Sequence, residues 1–203
     1  IDEPNAFLKI LCADMCGMSS DSIYLSPAPL YHAAPLRFNM MAITLGGTSI
    51  IMESFDAEEF LKLVEKYEVT QSQLVPTMFV RMLKLPEEVR KRYDVSSLKG
   101  AIHAAAPRPI DVKARMIDWW GPILIEYYAG SEGNGVTVST SQQWLEHRGT
   151  VGRAVVGDVL DGRPVLLGGD GHDPQVLVEL IVTEQGRFSG FIHLHDLLRE
   201  GLV

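Results

Sequence analysis

Short β-branched or apolar runs alternate with longer stretches of helical periodicity from residue 7 to residue 128, and no other property of the chain limits its fold as tightly. Phe7, Leu8, Leu11 and Met15 share one face, which predicts a helix over 7–15. Ile23-Tyr24-Leu25-Ser26 reads as a strand running into the proline-rich stretch 27–35. Residues 36–45, apolar and Met-rich, predict a buried helix closed by Gly46-Gly47. The β-branched content of 48–52 predicts a strand. Asp56, with Glu59 three residues on, reads as an N-cap and its carboxylate partner opening an amphipathic helix to Tyr67. A strand over 70–75 leads to Pro76 at its favoured first-turn position in a helix, and Pro86 starts a further short helix toward Tyr93. A small-residue strand over 100–104, a helix over 109–120 and a strand over 123–128 complete the series. This alternation implies an α/β fold, a mostly parallel sheet with helices on both faces.

Charge and apolar content exclude several function classes. The formal net charge of −8 argues against a nucleic-acid surface, which needs clustered Lys and Arg. No apolar run reaches the roughly 18 residues a membrane span requires, and no signal peptide is visible. Cys12 and Cys16 are the only cysteines, at helical i, i+4 spacing, with no His or carboxylate cluster to complete a metal site. They read as two reduced, packed thiols, and the expected compartment is the cytoplasm.

The stretch Glu126-Tyr127-Tyr128-Ala129-Gly130-Ser131-Glu132-Gly133 follows the apolar run Pro122-Ile123-Leu124-Ile125. An aromatic face can stack on a base, and small residues let the backbone approach a ligand closely. The Ser131 hydroxyl can reach a phosphate, and Glu132 can hold a hard cation such as Mg²⁺. Ligands of open α/β sheets lie beyond the carboxyl ends of strands, where this turn is expected. An ordinary strand-to-loop turn has the same composition, so the motif gains meaning from its neighbours.

Five segments in order make the chain resemble the adenylate-forming acyl-CoA synthetases, the ATP-dependent fatty acid–CoA ligases, over residues 1–157. Leu25-Ser26-Pro27-Ala28-Pro29-Leu30-Tyr31-His32-Ala33-Ala34-Pro35 is similar to that family's segment at the acyl pocket. Val75-Pro76-Thr77-Met78-Phe79 resembles its strand-to-helix junction, and Ala101-Ile102-His103-Ala104-Ala105-Ala106-Pro107 resembles the loop along adenine. Residues 126–132 resemble the aromatic-Gly-x-Thr-Glu motif with Ser131 in place of Thr, and Gly149-Thr150-Val151-Gly152-Arg153 resembles the Gly-rich motif that follows.

The resemblance implies a carboxylic acid, ATP and coenzyme A as small-molecule substrates, with Mg²⁺. A carboxylate oxygen attacks the α-phosphorus of ATP and pyrophosphate leaves; the CoA thiol then displaces AMP to give the thioester. Tyr128 is implied to stack on adenine, beside Tyr127 and the close backbone of Ala129 and Gly130. Ala104, Ala105, Ala106 and Pro107 are implied to lie along the base edge. Ser131 is implied to bond an α-phosphate oxygen and Glu132 to hold Mg²⁺, offsetting the repulsion of like charges. His32 is implied to sit where the acyl and CoA channels meet the adenylate. The family's phosphate-cradling Ser/Thr/Gly-rich loop, its ribose-binding Thr-Gly-Asp motif and its small C-terminal domain with a Lys have no counterpart here. A central piece of a synthetase, inactive alone, is therefore expected; a non-catalytic adenosine-nucleotide-binding module is the alternative. Acyl chain length and oligomeric state stay open.

Blander roles compete at several positions. His32 also fits a core imidazole, His103 a structural one, Trp119-Trp120 packing at a helix end, and Met40-Met41 core filler. Arg148 and Arg153 also fit solvated charges. Residues 176–203 resemble instead the end of a CBS domain, as in arabinose 5-phosphate isomerases, and would act as a regulatory tail in the alternative. A hairpin is expected around Gln185-Gly186, then a helix capped by Asp196, with His193 and His195 a conceivable metal pair lacking a third ligand. The Gly- and Asp-rich stretch 158–175 reads as the junction of unlike segments, by fusion or by a rearranged reading frame.

Overall fold

A computed structural model describes residues 9–104, 109–129, 136–156, 179–184 and 187–193. Its main body is a seven-stranded sheet of order β2-β1-β3-β4-β5-β6-β7. The strands are β1 (Ile23–Ser26), β2 (Thr48–Ile51), β3 (Gln71–Leu74), β4 (Gly100–His103), β5 (Leu124–Ala129), β6 (Val136–Thr140) and β7 (Arg153–Val156). β1 to β5 pair in parallel, as the alternation predicts, whereas β6 and β7 add antiparallel at one edge. A two-stranded antiparallel hairpin, β8 (Glu179–Glu184) and β9 (Arg187–His193), forms a second sheet on either side of Gln185-Gly186, as expected. His195 and the helix expected after Asp196 lie outside the described residues.

Successive residues of the parallel strands feed two different cores, because side chains alternate across a sheet. Leu25, Leu74, Ala101 and Leu124 face one cluster, built with α2 (Ala57–Tyr67), α3 (Pro76–Leu83) and α5 (Ile110–Trp120). Tyr24, Ile102 and Ile125 face the other, built with α1 (Ala33–Thr44) and a π-helical turn (Ile10–Met15). Helices thus cover both faces.

Several expectations need correction. The helix expected over 7–15 is described only as the π-turn, in which the Cys16 N–H donates to Leu11 O at 3.2 Å before Gly17 turns at φ 64°. α1 begins at Ala33 rather than residue 36, because Pro35 in a first turn forfeits only an N–H that has no intrahelical partner. Nor is α1 buried all round: Phe38, Met41 and Ala42 are buried, while Leu36, Met40 and Ile43 are exposed, so only Met41 of the methionine pair is core filler. Asp56 caps α2 by accepting the Glu58 and Glu59 N–H groups, but the Glu59 carboxylate pairs with Lys62 at 3.1 Å instead of turning back. Glu68 ends α2 in the left-handed region at φ 51°. The helix after Pro86, α4, spans only Glu87–Arg90.

The β6 and β7 strands and α6 (Ser141–Glu146) are additions the sequence reading missed. Their signals are present: the β-branched run Val136-Thr137-Val138, and a capping box in which Thr140 and Gln143 satisfy each other's backbone N–H. Trp120 packs as expected at the end of α5, its ring parallel within 13° to Phe60 and edge-on to Phe79.

Candidate functional site

The strand order contains one reversal. From β1 the chain passes to β2 on one side through α1, then returns past β1 to β3 through α2 on the opposite face. At such a switch point the flanking connections leave a crevice beyond the carboxyl ends of the two central strands. Here those ends carry residues 27–32 after β1 and Val75-Pro76 after β3. The two segments read as the acyl pocket and its strand-to-helix junction therefore flank the same crevice.

His32 is the N-cap of α1 and its side chain is exposed, which excludes the core-imidazole role. Its ring lies 4.4 Å from that of Tyr31, which is 82% exposed. Asn39, buried one turn into α1, holds this loop in place. Its Nδ2 donates to Ser26 Oγ at 2.7 Å and to Pro35 O at 2.8 Å, and its Oδ1 accepts from Ser49 Oγ. One amide thus ties the start of α1 to the carboxyl end of β1 and to Ser49 in the first half of β2.

Two further loops leave the same edge of the sheet. His103 closes β4 and Ala104, buried, follows it; Ala105, Ala106 and Pro107 lie outside the described residues. Tyr127, Tyr128 and Ala129 close β5, and Gly130, Ser131 and Glu132 lie outside the described residues, in the connection to β6. The two tyrosines face opposite ways. Tyr127 packs toward α1, its ring 6.1 Å from Phe38, and belongs to that core. Tyr128, by alternation, faces the other side and is half-buried. Burial pushes the Tyr127 phenol up to about 12 against the opposing charge of Arg37, and burial also raises Tyr128, so both rings stay neutral hydrogen-bond donors near neutral pH.

At the carboxyl ends of β4 and β5, His103 and Glu126 meet Lys113, a residue that sequence reasoning did not single out. Lys113 of α5 has only 2% of its side chain exposed, and its Nζ donates to Glu126 Oε2 of β5 at 2.5 Å. His103 Nε2 is 3.8 Å from the same carboxylate oxygen. The Lys113 ammonium also sits 5.3 Å from the ring centroid of Trp144, a buried residue of α6. α6 is pinned there by Ser141, whose Oγ accepts from Leu124 N–H and donates to Leu124 O, each at 2.9 Å. A signal was available: Lys113 occupies a position of α5 whose neighbours Val112, Met116, Ile117 and Trp120 form the apolar face. His103 is accordingly a buried structural imidazole set edge-on against Phe79.

Cys12 and Cys16 are buried free thiols, as expected. Burial raises the first to about 12 and the second well above its ordinary value, which keeps both protonated. Among the described residues no three His, Cys, Asp or Glu side chains gather as a metal site, and no helix is long and apolar enough to cross a membrane.

Comparison with known proteins gives the same picture. The sequence model described as AMP-binding enzyme matches residues 6–171. The medium/long-chain fatty-acid–CoA ligase FadD8 of Mycobacterium tuberculosis is 29% identical over 199 residues, covering 87% of this chain and 33% of that protein. The long-chain fatty-acid–CoA ligase of Bacillus subtilis is 33% identical over 114 residues, covering 56% and 20%. Among solved structures, the N-terminal domain of FACL13 from Mycobacterium tuberculosis superposes with a TM-score of 0.62 at 26% identity, covering 70% of this chain and 36% of that one. The amide bond synthetase McbA from Marinactinospora thermotolerans shares the fold, with a TM-score of 0.63 at 23% identity over 72% and 31%. The chain thus spans between a fifth and about a third of the length of these curated relatives. With the sheet order, the loop placement and a family match across most of its length all in agreement, the chain belongs to the AMP-binding enzyme family.

Proposed function

We propose that the chain is the central part of an ATP-dependent acid–CoA ligase that converts a carboxylic acid, in the first instance a fatty acid, to an acyl-adenylate and then to a CoA thioester. What supports this most is that four connections, those after β1, β3, β4 and β5, leave the carboxyl edge of one parallel sheet in neighbouring positions. In this proposal Tyr128 stacks on adenine and the backbone of Ala104, Ala105, Ala106 and Pro107 lies along the base edge. Ala129 and Gly130 let the chain approach the nucleotide, and Ser131 bonds an α-phosphate oxygen. Tyr127 contributes from the α1 side by fixing the strand, and exposed His32 gates the crevice between β1 and β3. Glu132 would hold Mg²⁺, which neutralises phosphate charge when bound. The two protonated thiols fit the reducing cytoplasm proposed as its compartment. We further propose that the domain ends near residue 157 and that 176–203 is a separate CBS-like tail; the β8–β9 hairpin is consistent with this.

On its own the chain binds nucleotide and does not turn over, since the groups implied to cradle the β- and γ-phosphates are not among its residues. Titration with a non-hydrolysable acyl-adenylate analogue, followed by heat and by melting temperature, tests this. Saturable binding that weakens about tenfold or more in Tyr128→Ala is expected, the loss of one stacked ring being about 1–3 kcal/mol. A cooperatively melting chain that binds no analogue overturns the proposal. ATP–pyrophosphate exchange by the chain alone would instead show that the catalytic groups are complete.

A further inference from the structure

The cluster of His103, Lys113 and Glu126 sits at the last rung between two parallel strands. The parallel ladder between β4 and β5 pairs Ala101 with Leu124, Ile102 with Ile125, and last His103 with Glu126. In sequence, β4 leads to segment 105–108 and β5 to segment 130–135. The stems of both segments supply the cluster: His103 from β4, Lys113 from α5, Glu126 from β5, and Trp144 from α6, which directly follows β6.

Packing alone does not account for such a group. Lys113 lies on the apolar face of α5, bordered by Met116, Ile117 and Trp120 of the larger core. Stripping water from a lysine and a carboxylate costs several kcal/mol per ion. Apolar replacements of similar volume are often as stable or more so. What an ion pair adds is a directional contact of fixed length, here between the helix that ends one loop and the strand that begins the other.

We propose that Lys113 and Glu126, with His103 beside them, are positioning residues that set the spacing of the carboxyl ends of β4 and β5, at Ala104 and Tyr128, and so set affinity for the adenine nucleotide. They touch no nucleotide themselves; they act through Ala104 and Tyr128. This rests on the nucleotide-binding function proposed above.

The test separates position from stability. The double variant Lys113→Met/Glu126→Gln removes both charges at nearly constant volume, so it is expected to melt within a few degrees of the parent chain. Calorimetric titration of the full chain with AMP and with the acyl-adenylate analogue then decides. Binding weakened by about tenfold or more at retained melting temperature supports positioning. Binding within about threefold of the parent overturns it and leaves the ion pair a structural feature only. If the double variant does not melt cooperatively, Glu126→Asp, which keeps both charges and shortens the reach by one methylene, is judged by the same thresholds. Failure of both to fold makes the cluster a folding element and overturns the proposal. A parent chain that binds neither probe refutes the nucleotide-binding function itself, and this inference falls with it.

Discussion

Gly152 offers the sharpest physical test of the region after the motif. Its φ is +97°, and an added Cβ would lie 2.0 Å from Val138 O, 2.2 Å from Val138 C and 2.6 Å from Ser139 N. These are backbone atoms of β6, which cannot swing aside as a flexible side chain would. Gly152→Ala therefore carries two costs. The left-handed backbone costs a residue with a Cβ about 1–2 kcal/mol, and forced overpacking adds about 1–3 kcal/mol. The sum is about 2–5 kcal/mol, which lowers the melting temperature by roughly 5–15 °C in a domain of this size. Gly121 supplies the control, because it has φ +82° and nothing within 4 Å of its Cβ position. Gly121→Ala should show a positive-φ backbone cost without a clash, in the extended region at ψ −177°, and a larger loss in Gly152→Ala marks the clash. Melting followed by circular dichroism gives the global effect. Amide exchange at Arg153 and Ala154, which pair with Val138 and Thr137, detects the alternative response in which β7 peels from β6. If Gly152→Ala matches Gly121→Ala in both measurements, the close approach of residue 152 to β6 is wrong.

Two further outcomes follow from buried polar groups. Asn39→Leu removes the partner of Ser26 Oγ, Ser49 Oγ and Pro35 O, and should destabilise the chain by about 1–3 kcal/mol in urea unfolding; it should also loosen the loop bearing His32, read as faster limited proteolysis at 27–32. Cys12 and Cys16 ionise in the unfolded chain near the ordinary thiol value of 9.0 but remain protonated in the folded one, where Cys12 is raised to about 12. The folded state therefore binds more protons above pH 9, and stability, full below that value, should fall as pH rises toward 12 with a slope approaching about 1.4 kcal/mol per pH unit for each thiol. Urea melts between pH 7 and 10.5 check this, and a thiol reagent should label neither cysteine until the chain unfolds.

Much of the architecture is legible because local signals and the fold agree. Asp56 before Ala57, Pro76 at the first turn of α3 and the β-branched runs each mark an element the sheet then uses. Where tertiary context outweighed the local pattern, reading fell short. α1 looks buried from its composition, yet only one face meets the sheet, since a stripe of exposed apolar residues and a stripe of buried ones have the same composition. At the site, the loops were legible as loops and their order along the chain fixed their common edge. The Lys113–Glu126 pair was not, because its partners are thirteen residues apart on different elements and meet only when α5 folds back over the sheet. Lys113 alone, on an apolar face, marks an anomaly without naming the carboxylate that resolves it.

The strand order also bears on how the chain comes to be folded during synthesis. After β3 pairs with β1, every later strand through β7 is added at the same growing edge, in the order in which it leaves the ribosome. Each new strand meets an edge already made and needs no displacement of an earlier one. The costly step is the first: β1 and β3 must close across α1, β2 and α2, as in the Ile23 N–H donation to Thr70 Oγ1 across 47 residues. Loop-closure entropy and the parallel pairing place the slow event there, early in the chain, with β4 and β5 falling into register afterwards.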